Sequence, residues 1–347
     1  MAEAASPATP DQLLRQLEWT VIRKLDGLLQ GDYRTLWRGA GVDLADLREY
    51  QHHDDVRHID WNVTARLQTP YVRQFLEDRD LSAWFLLDLS GSVDFGSEDV
   101  TKLAVSTAFV ATLARVITRH GNRVGAMLYG TQVAAPSQAD LPPSGGGRRE
   151  AGAPGPHVFG LMPPRASRLH VLELLQRMRT PRPRQAAGAG TAMADLLRAA
   201  DSSIKRRSLV FVVSDFISQP GWPEALARLS RRHDVVAVRL WDPLEMDIPD
   251  IGLVTLEDAE TGEQVFVDGS DPGFRERYAA IAEEQESALM DNLARSGADV
   301  IELATDDELL DTLMRFADLR RQRARTKIPL RFPAAMRRAE LMTEAAP

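Results

Sequence analysis

Apolar and polar positions change their spacing several times between residue 82 and residue 320. Short, nearly continuous apolar runs, such as those at 83–87 and 208–214, have the length and composition of strands buried on both faces of a sheet. Between these runs, apolar residues recur at steps of three and four, which is typical of amphipathic helices. The alternation of the two patterns predicts an α/β fold, a doubly wound, mostly parallel sheet with helices on both faces.

The bounds of the elements follow from the same pattern. We expect strands at 83–87, 123–129, 208–214, 234–240 and 299–303, with a short candidate strand at 131–135. We expect helices at 11–30, 98–120, 167–178, 192–204, 222–231, 274–296 and 306–320. Ser97 precedes the second helix and is its predicted N-cap. The apolar stretches 253–256 and 264–267 flank a polar, glycine-containing segment and predict a β-hairpin at the sheet edge.

The elements divide the chain into four regions. Residues 1–10 are small and polar and are predicted to be disordered, and residues 11–80 hold an N-terminal helix followed by a segment dense in charge. Residues 81–320 form the α/β domain, within which 136–165 is rich in Pro and Gly and predicts a flexible insertion. Residues 321–347 are a basic tail, interpreted as solvated or as a docking peptide for an acidic partner.

Composition narrows the class of protein. The chain has 347 residues and no cysteine, which excludes disulfides, zinc–thiolate sites and cysteine nucleophiles. Its 50 acidic and 42 basic residues give a formal net charge of -8, which argues against a general nucleic-acid binder. The N-terminus lacks the pattern of a signal peptide, and no apolar run reaches the ~18 residues that span a bilayer. We therefore expect a soluble, cytoplasmic protein without a membrane span.

A candidate metal site begins where the first strand of the domain ends. Asp88, Ser90 and Ser92 place side-chain oxygen atoms at alternate positions after an apolar run. Taken alone, such residues equally well cap a helix or a turn. However, Asp215 ends a second apolar strand and Thr191 opens a helix after a glycine-rich turn, so the topology brings all five to one sheet edge. Mg²⁺ prefers such oxygen ligands, and Mn²⁺ and Ca²⁺ share them.

Other candidate sites lack the spacing that their chemistry requires. The segment 48–80 contains three His and five Asp residues, but no H-E-x-x-H type of metal spacing, and ion pairs of Arg57 and Arg66 are the favoured interpretation. The glycines at 145–147 are not followed by the Lys-Ser/Thr end of a phosphate-binding loop. No Gly-x-Ser-x-Gly elbow surrounds Ser90, and no Gly-x-Gly-x-x-Gly follows the first strand. The residues therefore predict a protein that is not an enzyme.

The five candidate ligands resemble the metal-ion-dependent adhesion site of von Willebrand factor A domains. The likeness covers about residues 80–320 and consists of Asp-x-Ser-x-Ser, a Thr that opens a helix, and an Asp that ends a strand. This resemblance implies a von Willebrand A-like domain in which the metal ligands are Asp88, Ser90, Ser92, Thr191 and Asp215. In that family some ligands bind the ion directly and others bind through water.

The charged segment before the domain resembles the signature of the bacterial "domain of unknown function 58" family. The matching stretches are Arg48-Glu49-Tyr50, the run from Asp54 to Trp61, Ala65-Arg66, and Val72-Arg73-Gln74-Phe75. One departure lies at Gln51-His52-His53-Asp54, where the family usually has Pro-Gly-Asp. Many members of the family carry membrane helices, whereas no apolar run of this sequence has the length that such a helix requires.

These resemblances imply a function in binding. We expect a non-catalytic protein-interaction module that uses a divalent ion to bind a carboxylate of a partner, together with a MoxR-type AAA+ ATPase, in the assembly or maturation of other proteins. The alternative is a metal-assisted phosphoester hydrolase that uses the same Asp, Ser and Thr residues. A third alternative is a structural subunit whose site never binds metal.

Overall fold

The fold is taken from a computed structural model of the chain, which describes residues 9–17, 47–50, 61–73, 82–97, 100–130, 158–180, 192–257 and 264–326. Several predictions fall outside these ranges. They are the predicted disorder of residues 1–8, the predicted helix beyond residue 17, the candidate strand at 131–135, the predicted insertion up to residue 157, and the basic tail beyond residue 326.

The residues that the structure describes form ten strands. They are β1 (Leu47–Glu49), β2 (Tyr71–Arg73), β3 (Ser82–Asp88), β4 (Arg123–Tyr129), β5 (Val158–Arg165), β6 (Leu209–Ser214), β7 (Asp234–Trp241), β8 (Leu253–Glu257), β9 (Gln264–Asp268) and β10 (Asp299–Ala304).

The described residues also form eight α-helices. They are α1 (Pro10–Leu17), α2 (Trp61–Leu67), α3 (Lys102–Arg119), α4 (Arg168–Arg179), α5 (Met193–Ser203), α6 (Trp222–Arg232), α7 (Pro272–Ser296) and α8 (Leu309–Thr326). Short 3₁₀ turns cover Gly91–Asp94 and Pro243–Glu245.

The central sheet has six strands in the order β10-β7-β6-β3-β4-β5. All neighbouring pairs are parallel except β4 with β5, which is antiparallel. The chain therefore runs from β3 outward in one direction and from β6 outward in the other. In such a doubly wound sheet, the crevice at the carboxyl ends of the two central strands is where ligands bind. The predicted mostly parallel fold is confirmed.

Two apolar layers cover the two faces of the sheet, because successive side chains of a strand point to opposite faces. Ala83, Phe85 and Leu87 of β3 lie in the layer that also contains buried residues of α1, α3, α4 and α8. Trp84 and Leu86 lie in the opposite layer with residues of α5, α6 and α7. The near-continuous apolar strands detected in the sequence are therefore buried on both sides.

The N-terminal helix belongs to the same core as the α/β domain. Leu14 and Leu17 of α1 are buried in the layer of α3 and α4. Asp11 accepts a hydrogen bond of 2.6 Å from the Arg168 guanidinium at the start of α4. This helix therefore packs on α3 and α4, within the apolar layer on one side of the sheet.

Several elements differ from the sequence-based expectation. Residues 158–165, predicted as part of a flexible insertion, form the edge strand β5. The predicted hairpin exists as β8 and β9, but it forms a two-stranded sheet of its own. The last helix begins at Leu309, after the predicted start at residue 306.

No helix within the described ranges is both long and apolar enough to cross a membrane.

Candidate functional site

Four of the predicted ligand residues meet at the carboxyl edge of the sheet, at the point where the strand order reverses. Asp88 is the last residue of β3, and Ser90 and Ser92 lie on the loop and 3₁₀ turn that follow it. Asp215 directly follows β6, the strand beside β3. Asp88 is 0% and Asp215 is 3% exposed. Strand order therefore brings together residues that are more than a hundred positions apart.

Hydrogen bonds from neutral groups hold the Asp88 carboxylate. The backbone N–H of Ser90 donates to Oδ1 over 3.0 Å, and the Ser214 hydroxyl donates to Oδ2 over 2.7 Å. The Ser214 hydroxyl in turn accepts the N–H of Phe216 over 2.8 Å. Ser214 was not predicted from the sequence, although its place at the end of an apolar strand beside Asp215 was a signal.

The two loop hydroxyls lie side by side. Ser90 Oγ and Ser92 Oγ are 3.1 Å apart and share a hydrogen bond, and both residues are nearly inaccessible to solvent. Ser92 lies in the 3₁₀ turn Gly91–Asp94, which brings its hydroxyl to that of Ser90. In an extended loop the two hydroxyl groups would lie farther apart. The loop thus presents two oxygen atoms next to the Asp88 carboxylate.

Burial leaves the charge of Asp88 largely uncompensated. Desolvation, and secondly repulsion by the neighbouring Asp215 carboxylate, raise the pKa of Asp88 to about 6. The hydrogen bonds from Ser214 and Ser90 act in the opposite direction but do not restore the ordinary value. A buried carboxylate of this kind favours either a proton or a cation close to it.

Asp215 has a cationic partner that sequence analysis missed. The Lys102 ammonium donates to Asp215 Oδ2 over 2.9 Å and to Glu245 Oε1 over 2.5 Å. The second oxygen of Asp215, Oδ1, accepts the N–H of Ile217 over 3.1 Å. Lys102 is 1% exposed. Burial lowers its pKa, but attraction to the two carboxylates outweighs this effect and raises the pKa above its ordinary value.

A third buried carboxylate, that of Asp242, joins the surrounding loops. Asp242, after β7, accepts hydrogen bonds through Oδ2 from the Ser97 N–H, the Ser97 hydroxyl and the Thr305 hydroxyl, over 2.7, 2.8 and 2.6 Å. Its Oδ1 accepts the Leu244 N–H over 2.9 Å. Ser97 was predicted to cap α3. It instead contacts Asp242, and Thr101 is the N-cap.

Thr191, the fifth predicted ligand, lies outside the described residues. The next residue, Ala192, donates its N–H to the Tyr129 hydroxyl at the end of β4 over 2.7 Å. The N–H of Met193 donates to the Ser218 hydroxyl on the loop after Asp215, over 2.9 Å. The start of α5 is therefore attached to the same edge of the sheet as the other four residues.

The described donors fit a hard divalent cation. They comprise a carboxylate whose charge no described cation contacts, two adjacent hydroxyl groups, and the carboxylate of Asp215, which is engaged by Lys102. Mg²⁺ binds through few protein oxygens and keeps several waters, so this small set suffices. Asp88, Ser90 and Ser92 would hold the ion, and Asp215 fits a role through water because the Lys102 ammonium already pairs with its carboxylate.

The His and Asp residues of the charged segment lie within 51–60 and 74–81, outside the described residues. In the part of the chain that the structure describes, no cluster of three or more His, Cys, Asp and Glu side chains has the arrangement of a metal site. A site at the sheet edge would therefore rely on hydroxyl groups as well as carboxylates.

Comparison with known families and proteins gives a clear match. The model of the family described as "Protein of unknown function DUF58" matches residues 46–153 and 145–288. An uncharacterized protein of Mycobacterium tuberculosis is 33% identical over 311 residues, which cover 90% of both chains. An uncharacterized protein of Mycobacterium bovis matches to the same extent.

Similar solved structures include two of low sequence identity. The conserved hypothetical protein BatB from Bacteroides thetaiotaomicron has a TM-score of 0.38 at 13% identity, covering 70% of this chain and 99% of that chain. The SpRpn10 VWA domain has a TM-score of 0.34 at 12% identity, covering 68% of this chain and 94% of that chain. At these values, neither structure indicates what this chain binds.

Proposed function

The chain belongs to the DUF58 family, and from that premise we propose that it is a non-catalytic protein-interaction module that binds a carboxylate of its partner through a divalent metal ion. One observation carries the proposal. Asp88, Ser90, Ser92 and Asp215, from two separate loops, converge in a buried cluster at the point where the strand order reverses. A purely structural cap would not leave the Asp88 carboxylate buried next to a second carboxylate.

The residues of the site have distinct roles in this proposal. Asp88 supplies negative charge, and the Ser214 hydroxyl and the Ser90 N–H fix the orientation of its carboxylate. Ser90 and Ser92 supply neutral oxygens, which leave a bound cation electrophilic. Mg²⁺, or Mn²⁺ or Ca²⁺ in its place, would supply the positive charge that attracts an incoming carboxylate. Asp215 adds negative charge from the end of the neighbouring strand, and Lys102 and the Ile217 N–H already engage its two oxygens.

The partner class follows from the family resemblance. We propose a MoxR-type AAA+ ATPase, or a client protein of such an ATPase, that offers an Asp or Glu side chain to the site. The proposed setting is the cytoplasm. The role is the assembly or maturation of other proteins, without a reaction catalysed by this chain.

The test measures metal binding by calorimetry with Mg²⁺ and Mn²⁺ on the full chain. We expect the wild type to bind one ion, and Asp88→Asn and Ser90→Ala to weaken binding by about tenfold or more, because the first removes the negative charge of a ligand and the second removes a ligand oxygen. A metal present at 100 times its Kd also stabilises the folded state by about 2.7 kcal/mol, so thermal unfolding gives a second readout. Asp94→Asn, an exposed carboxylate of the same loop, is the matched control and leaves binding unchanged.

The partner is tested with a purified MoxR-type ATPase from the same genome, with and without EDTA. We expect retention on the wild type in Mg²⁺, and loss with EDTA or with Asp88→Asn. Equal retention in every condition would show that the metal site is not the contact. Turnover of a phosphate ester that disappears with Asp88→Asn would instead favour the hydrolase.

A further inference from the structure

Lys102 is an unusual residue for its position. It is the first residue of α3, an 18-residue helix, and its side chain is 1% exposed. The positive end of the helix dipole disfavours a cation there, and a buried ammonium is costly unless it is paired. Its contacts with Asp215 and Glu245, at 2.9 and 2.5 Å, compensate both effects. The ammonium of Lys102 is therefore a fixed positive charge beside the candidate metal site, and it contacts Asp215 directly.

The charge is directed at one of the candidate ligands. Asp215 Oδ2 accepts a hydrogen bond from Lys102, whereas the Asp88 carboxylate, at the end of the adjacent strand, accepts hydrogen bonds from the neutral groups of Ser90 and Ser214. Two buried carboxylates that lie near one another thus have unlike partners. A divalent ion bound at Asp88 would therefore compete with the Lys102 ammonium for the negative charge of Asp215.

We propose that Lys102 is a positioning residue that neutralises Asp215 and thereby lowers the affinity of the site for divalent cations. This inference rests on the proposed metal site and deepens it. A weaker hold by the protein leaves the cation more electrophilic and so more dependent on a carboxylate from the partner. Lys102 in this way makes metal binding and partner binding depend on one another.

Glu245 sets how strongly Lys102 acts on Asp215. It shares the ammonium, and its side chain is 24% exposed, so it is the more accessible of the two carboxylate partners. The 3₁₀ turn Pro243–Glu245 fixes it through a capping box in which Glu245 Oε2 accepts the Asp242 N–H over 3.2 Å. Removing the charge of Glu245 leaves Lys102 with Asp215 alone, which strengthens the neutralisation of that carboxylate.

The experiment compares Lys102→Met and Glu245→Gln with the wild type in calorimetric titrations with Mg²⁺ and Mn²⁺. Met keeps the length of the Lys side chain without the charge, and we expect its affinity for metal to rise about tenfold. Glu245→Gln keeps its shape and is expected to lower the affinity severalfold, because a negative charge is lost and Lys102 binds Asp215 alone. Lys205→Met is the matched control. Lys205 is exposed and precedes the amino end of β6, whereas the candidate site lies at the carboxyl end of that strand.

The sign of the change separates this role from a structural one. If Lys102 only stabilised the loops, Lys102→Met would bind metal more weakly, which would overturn the proposal, as would unchanged affinity in a folded variant. If Lys102→Met does not fold, as judged by circular dichroism, Glu245→Gln decides, and unchanged or tighter binding overturns the inference.

The result for the wild type separates this inference from the proposed function. A wild type that binds no metal contradicts the proposed function. In that case, binding gained by Lys102→Met still supports the inference that the ammonium opposes the cation, and absence of binding in both proteins overturns it.

Discussion

Asp242 illustrates how one side chain stabilises the edge of the sheet. It is 0% exposed and joins the segment after β3, through Ser97, to the segment after β10, through Thr305. Burial raises its pKa, but the hydrogen bonds from Thr305, Ser97 and Leu244 together outweigh burial and leave the pKa below its ordinary value of 3.8. The ionised form is therefore the one that the folded protein stabilises.

Asp242→Asn is expected to lower the free energy of unfolding at pH 7 by about 2 kcal/mol, because an amide nitrogen cannot accept the three hydrogen bonds of Oδ2. Since the folded pKa is depressed, this contribution is present above about pH 4 and is lost as the pH falls through the folded value. Urea unfolding of both proteins between pH 5 and pH 3 checks the trend. A difference that stays constant over this range would contradict the role of the charge.

The start of α3 shows how an element depends on its cap and its surroundings. The sequence contains acceptable caps at Ser97 and at Thr101, and local preference does not separate them. In the structure, Ser97 is held by Asp242, and the Thr101 hydroxyl accepts the N–H of Ala104 over 3.2 Å. The helix consequently begins at Lys102, which orients the side chain of that residue toward the site.

Thr101→Ala is expected to lower stability by about 1 kcal/mol, because a backbone N–H at the start of α3 loses its acceptor. Thr101→Ser keeps the hydroxyl and should remain within a few tenths of a kcal/mol of the wild type. Chemical denaturation followed by circular dichroism measures both. Equal stability of the Ala variant and the wild type would mean that this hydrogen bond does not support the helix.

The core of the described residues is built on the six-stranded sheet, which lies between two apolar layers. Phe85 and Phe211 stack with ring centroids 5.0 Å apart, and Phe109 of α3 meets Phe211 edge-on at 5.9 Å. Leu174 of α4 is fully buried in this layer, and Leu226 of α6 is fully buried in the opposite layer. Because both layers pack on the same strands, loss of packing on either face weakens the same structure.

Leu174→Ala and Leu226→Ala are each expected to lower stability by about 2–5 kcal/mol through the cavity that they leave. We expect both to shift one common unfolding transition, and the double variant to show nearly additive losses, since the sites lie on opposite faces. Circular dichroism and tryptophan fluorescence during thermal unfolding check this. Two separate transitions, each moved by only one substitution, would show that the layers unfold independently.

The sequence was sufficient for the features that depend on local pattern. Apolar runs identified β3, β4, β6, β7 and β10 to within about two residues, because strands buried on both faces are apolar at every position. The same reasoning located Asp88, Ser90, Ser92 and Asp215, since polar residues at the carboxyl ends of parallel strands meet at one edge. By contrast, β5 was assigned to the flexible insertion, because its Pro and Gly residues are typical of loops.

The sequence by itself therefore determined the class of fold, the family and the residues that form one side of the site. Only the tertiary structure decided which charges surround them. Lys102 and Glu245 are separated by 143 positions, and nothing in the local pattern of either segment relates one to the other. Their pairing follows from strand order and from the exclusion of water, which makes a buried ammonium and its carboxylates depend on each other.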